Sequence, residues 1–80
     1  MYCVYIIKSR KRNWYYIGFT ENSDKRLKEH NLGQVRSTNF YKPFDLVFVQ
    51  LVDNRLKARD LEKFLKVKYN KEALLETIKK

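Results

Sequence analysis

The sequence predicts an α/β fold, a small three-stranded and mainly antiparallel sheet flanked by helices in the order β-β-α-β-α-α, and three observations lead there. Residues 2–7 (Tyr-Cys-Val-Tyr-Ile-Ile) and 14–19 (Trp-Tyr-Tyr-Ile-Gly-Phe) are almost wholly β-branched, aromatic or otherwise apolar, the composition that strands favour. The polar linker Ser9-Arg10-Lys11-Arg12-Asn13 between them has the length that closes a hairpin. A third apolar run, residues 44–52, lies between two stretches that carry helix-capping residues.

Taken in order, the first strand is apolar on both faces, with Tyr2, Val4 and Ile6 on one side and Cys3, Tyr5 and Ile7 on the other. Such a strand is expected at the centre of the sheet, covered on both sides. The second strand is similar except at Gly18, where a glycine marks either a bulge or the close approach of a backbone or ligand. Strand side chains alternate between faces, so Tyr5 and Tyr16 share a face only if directly paired residue numbers in the hairpin sum to an odd value. That odd register is the expectation, with Gly18 and the Arg26 side chain meeting the same surface.

A helix over residues 24–32 follows, with capping residues in Thr20-Glu21-Asn22-Ser23, Asp24 at its positive end and Gly33 as its stop. Its only interior anchor is Leu27, which makes it either a solvated spacer or the wall of a charged site. Arg26 and His30, four apart, lie on one helix face. Residues 33–43 read as an irregular basic arm containing at most one helical turn. Arg36 and Lys42 could seek phosphates there, and Phe40 and Tyr41 could stack on bases, unless this is an ordinary loop with Phe40 turned inward.

The third strand occupies residues 44–52, and Asp53-Asn54 caps the next helix. Along that helix Ala58, Leu61, Phe64 and Leu65 form a core-facing stripe, and Glu62 falls just outside it, beside Ala58 and Tyr69. Glu62 is thus either a rim carboxylate able to reach a cleft or a common surface glutamate. Asn70 would cap a last helix over residues 71–79, with Leu74, Leu75 and Ile78 inward.

Composition narrows the function. Lys and Arg outnumber Asp and Glu by 18 to 9, and the resulting net charge of +9 suits a polyanionic partner. Six Tyr, five Phe and one Trp exceed what a small core requires, leaving rings for binding. The lone Cys3 cannot form an internal disulfide, and no Cys and His cluster could hold zinc, so a reducing cytoplasmic setting is expected. No apolar run approaches the roughly 20 residues that a membrane span needs. Residues 1–80 are expected to form one domain with a modest core.

With two tyrosines on a hairpin facing an arginine and a histidine on a helix, the chain resembles the GIY-YIG nucleases, named for tripeptides on adjacent strands. Here the first tripeptide is Cys3-Val4-Tyr5, with cysteine where the family has glycine, and the second is the intact Tyr16-Ile17-Gly18. Arg26, ten residues beyond Tyr16, and His30, one turn later, match the family's helix residues, and Ala58-Arg59-Asp60-Leu61-Glu62 looks like the setting of its metal-binding glutamate. The resemblance implies a divalent-metal-dependent endonuclease that hydrolyses DNA phosphodiester bonds. In it Tyr5, Tyr16, Arg26, His30 and Glu62 are catalytic, Glu62 holds Mg²⁺ or Mn²⁺, and Gly18, Arg26, Arg36, Tyr41 and Lys42 meet the nucleic acid. Tyr5 or Tyr16 would orient or deprotonate the attacking water, and His30 would transfer protons or bind phosphate. Asn70 is the nearest match to an asparagine that some members place near the metal. A role in DNA repair or recombination, with structure selectivity from the basic arm or a partner protein, fits the same picture. Two other classes compete: a basic nucleic-acid-binding module without catalysis, and a small domain that binds a protein through its aromatics.

Overall fold

A computed structural model describes residues 1–67 and 72–76 of the 80-residue chain. It contains strand β1 (Tyr2–Ser9), strand β2 (Tyr15–Thr20), helix α1 (Ser23–Asn31), a single 3-10 turn (Asn39–Tyr41), strand β3 (Phe44–Val52), helix α2 (Arg55–Lys66) and a helical segment over residues 72–76. The expected cap at Asn70, Tyr69, and residues 71 and 77–79 of the last helix lie outside the described residues. Among the described residues no helix is long and apolar enough to cross a membrane.

The sheet order is β2-β1-β3 with both pairings antiparallel, which puts β1 in the centre as its two apolar faces require. Alternate residues of β1 feed two separate cores. Val4 and Ile6 pack with Ile17, Ala58, Leu65 and Leu75 under α2, while Tyr5 and Ile7 pack with Phe44, Trp14, Tyr16 and Leu27 on the α1 side. In the hairpin Tyr5 pairs with Gly18 and Ile7 with Tyr16, the odd register, so Tyr5, Tyr16 and Gly18 share a face.

No bulge occurs at Gly18, since the β1–β2 register runs unbroken there. The irregularity lies instead between β1 and β3, where Ile6 pairs with Phe48 but Ile7 with Leu46, so that Val47 is the extra residue. This slip turns Phe44 and Leu46 towards the α1 core although Phe48, of the same parity, packs under α2.

Both helix starts follow their capping chemistry. Asn22 accepts the Lys25 N–H at 3.0 Å and Asn54 the Lys57 N–H at 2.9 Å, each meeting one of the donors a helix start leaves unpaired. Gly33 past the end of α1 has φ of 78°, the left-handed conformation that favours glycine. The α2 stripe holds for Ala58, Leu61 and Leu65 but not for Phe64, which is 57% exposed. At about 100° per residue Phe64 projects about 90° from the centre of the other three and Glu62 about 70° on the opposite side, so the contact face is too narrow for Phe64.

Candidate active site

The α1-side face of the sheet gathers four of the five residues expected to be catalytic. Helix α1 needs few apolar residues because polar ones help anchor it: Leu27, half-buried, and His30, fully buried three residues later, turn inward, and Asn31 accepts the Phe44 N–H at 2.6 Å and donates to its carbonyl at 3.3 Å. His30 thereby meets the hairpin tyrosines, its ring centroid lying 5.9 Å from that of Tyr5 and 5.1 Å from that of Tyr16.

Hydrogen bonding fixes this histidine at both nitrogens. Nε2 lies 2.9 Å from the Tyr5 hydroxyl, and Nδ1 lies 2.7 Å from Thr38 Oγ1. Thr38 also reaches the Val35 carbonyl at 3.3 Å, and a carbonyl can only accept, so the Thr38 proton belongs there. Thr38 Oγ1 then accepts from Nδ1–H, which leaves Nε2 bare to accept from the Tyr5 O–H. Burial first, and then the nearby Arg26 charge, hold His30 down to about 4, so at neutral pH it is the neutral imidazole this arrangement needs.

Tyr5 has the complementary environment. Burial pushes its phenol up to about 12, against the lowering effect of the neighbouring Arg26 guanidinium. The negative charge of Glu62 also reaches Tyr5 and raises it, which puts that carboxylate within electrostatic range of the hydroxyl. Arg26 Nη1 meets Glu29 at 2.9 Å, and the guanidinium is raised first by that carboxylate and also by Tyr5. Arg26 is therefore held between an acid and a phenol, and it stays half exposed.

Glu62 comes from the other side of the sheet. Its helix packs under Val4 and Ile6, yet the carboxylate side chain is only 17% exposed and lies 3.6 Å from Lys66. Among the described residues no group of three or more His, Cys, Asp or Glu could hold a metal ion. A caged transition metal does not fit such a donor set. A hard ion bound through one carboxylate, with waters and substrate phosphate completing its shell, does.

The residues expected to meet nucleic acid divide. Gly18 is buried, and a Cβ there would lie 2.7 Å from Tyr5 Oη and 3.0 Å from Tyr16 Cε2; the close approach it permits here is that of two side chains of its own protein. Arg36 and Lys42 are exposed, and Lys42 Nζ donates to Asn39 Oδ1 at 2.8 Å. Tyr41 has one ring face covered by Trp14, with centroids 3.9 Å apart and planes 9° from parallel. Phe40 points outward, 57% exposed. Thr38 is the site residue that sequence reasoning missed. Its only local signal is a hydroxyl in a basic arm, and its partner His30 is eight residues away across a turn.

Comparison with known proteins agrees with this geometry. The family model described as the GIY-YIG catalytic domain matches residues 1–76. UPF0213 protein YazA of Bacillus subtilis (strain 168) is 30% identical over 63 residues, covering 78% of this chain and 63% of the relative. UPF0213 protein CPE1444 of Clostridium perfringens (strain 13 / Type A) is 34% identical over 64 residues, covering 79% of this chain and 68% of the relative. The chain thus spans about two thirds of these relatives, slightly less for YazA. No solved structure gives a significant match.

Proposed function

The chain belongs to the GIY-YIG family of nucleases, and from that premise we propose that residues 1–80 are one nuclease domain that hydrolyses phosphodiester bonds in DNA with the help of a divalent ion. The observation that carries this reading is the buried Tyr5–His30–Thr38 chain beside Arg26, a set of groups poised to move a proton next to a phosphate-binding cation.

Each residue has a role that its environment supports. Tyr5 oxygen donates to His30 with the Arg26 guanidinium nearby, which leaves lone-pair capacity for an incoming water. As that water attacks phosphorus, its proton passes to the Tyr5 oxygen while the Tyr5 proton passes to Nε2, so a free phenolate is never required. This coupling matters because a phenol near 12 is almost wholly protonated at neutral pH. The bond between phosphorus and the 3′ oxygen breaks, and Arg26 meets the charge gathering on the non-bridging oxygens. Tyr16 packs against both rings and keeps Tyr5 and His30 in register. Glu62 would hold Mg²⁺ or Mn²⁺, which when bound neutralises charge on the leaving oxygen.

A +9 surface is drawn to phosphates and does not read bases, so selectivity belongs to DNA structure or to a partner protein. That is the selectivity a cytoplasmic enzyme of DNA repair or recombination needs, and a buried, unpaired Cys3 suits the reducing compartment. One observation favours the competing reading, a nucleic-acid-binding module without catalysis: Glu62 already has a cationic partner in Lys66.

The experiment is plasmid nicking with and without Mg²⁺, in the parent and in Glu62→Gln. The amide keeps the size of the side chain but loses the charge that attracts a hard cation, so cleavage should fall about a thousandfold, the equivalent of roughly 4 kcal/mol of transition-state stabilisation. DNA binding should stay the same or tighten, since a negative charge facing phosphates is removed. Binding without any nicking by the parent in Mg²⁺ or Mn²⁺ would establish the binding module instead, and cleavage by Glu62→Gln at the parent rate would remove Glu62 from the metal site.

A further inference from the structure

Outside the candidate active site, one surface cluster gives Phe40, a ring the sequence offers for base stacking, a setting among cations that the nuclease roles leave aside. Phe40 is 57% exposed, with Lys11 Nζ 4.8 Å and the Arg12 guanidinium carbon 5.0 Å from its ring centroid. Neither cation is in an ion pair among the described residues, whereas neighbouring Arg10 is taken by Asp45 at 2.7 Å.

The cluster is held in place from below. Fully buried Ser9 donates through Oγ to the Tyr41 carbonyl at 2.6 Å and accepts the backbone N–H groups of Lys11 and Arg12 at 3.0 and 3.1 Å, tying the hairpin loop to the arm. Lys11 Nζ also donates to the Phe40 carbonyl at 3.3 Å. A line of rings then runs from this cluster to the active site. Phe40 meets Tyr41 edge-on at 5.1 Å, Tyr41 stacks on Trp14, Trp14 lies 6.3 Å from Tyr16, and Tyr16 lies 5.1 Å from His30.

We propose that Phe40, Lys11 and Arg12 form a stacking platform for an unpaired nucleotide, so that the DNA this protein takes carries a single-stranded segment flanking the bond to be cut. The proposal rests on the nuclease reading for its ligand and adds the structure of that ligand. Contacts to duplex phosphates need only cations, whereas an exposed ring gains from a nucleic acid only where a base has left its own stack. The two cations lie over the ring on long flexible stems; they turn to the phosphates as a base takes their place on the ring, and they give the cluster the charge to hold a polyanion. A protein partner with an acidic segment is disfavoured, because it would pair with the two cations and offer the exposed ring no base to stack on.

Fluorescence anisotropy in a chelator, without cleavage, tests the platform with labelled blunt duplex, the same duplex with a single-stranded overhang, and a free single strand. The parent should prefer the overhang and the single strand. F40A should lose about tenfold in affinity for those two and less than about twofold for the blunt duplex, in line with the cost of deleting one base-stacking ring. F40W should restore the preference and F40L should not; if F40A does not fold, F40L takes its place. Equal losses on all three DNAs, no loss on any, or competition by an acidic polypeptide as effective as that by a single-stranded oligonucleotide would overturn the proposal. Because nicking plays no part in this measurement, failure of the nuclease reading shows in the Mg²⁺ assay and failure of the platform shows here.

Discussion

His30 is the residue at which sequence pattern and buried chemistry meet most closely. Its place beside Tyr5 was legible, since the four-residue spacing from Arg26 and the odd hairpin register both follow from simple periods. Its second partner was not, because Thr38 reaches it from an irregular arm that has no period to read. Burial that holds the imidazole near 4 has a thermodynamic consequence. The unfolded chain, with an ordinary imidazole near 6.5, takes up a proton more readily than the folded one, so stability is complete above about pH 6.5 and is lost as pH falls towards 4. The loss should be on the order of 3 kcal/mol, measured by chemical denaturation across that window. His30 is the only histidine in the chain, so its ring signals report the titration directly. A midpoint near 6.5 in the folded protein would contradict the buried network.

Element boundaries were mostly readable, because Asn22, Asn54 and Gly33 mark helix ends by their own chemistry and β3 spans the expected residues 44–52. The slip inside β3 was not. With apolar residues at both parities along much of the strand, alternation carries no trace of the extra residue, and only the helix partners on each face reveal Val47. Phe64 misled for a related reason, since a helical period says where a ring points but not how wide the packed face is. Gly18 was noticed in the sequence for a reason that the structure changes: it is the space into which Tyr5 folds. Gly18→Ala should therefore destabilise by about 1–3 kcal/mol through overpacking, and the new methyl should push the Tyr5 hydroxyl away from His30. Denaturation and nicking measured together check it: both should fall, and an alanine variant with parent stability and parent activity would show that Tyr5 is not held as described.

For the molecule as a whole, charge sets the way it meets DNA. A +9 surface that binds mainly through phosphates should lose affinity steeply between about 50 and 200 mM salt, with weak dependence on base sequence. A titration series over that range measures the slope, and a flat response would mean that phosphate contacts are not what binds. The charge was plain in the composition; which cations meet an acidic partner was not, because Arg10, Arg26, Lys57 and Lys66 are matched by Asp45, Glu29, Asp53 and Glu62 only in the fold. The two-sided use of β1 reaches further. Val4 and Ile6 belong to one core and Tyr5 and Ile7 to the other, with a sheet between them, so substitutions in the two sets should behave nearly independently. A lineage could accumulate changes among Ile17, Ala58 and Leu65, and adjust its melting temperature by repacking there, while the proton-handling side is inherited unaltered. Only the path of the sheet's backbone is common property of both histories.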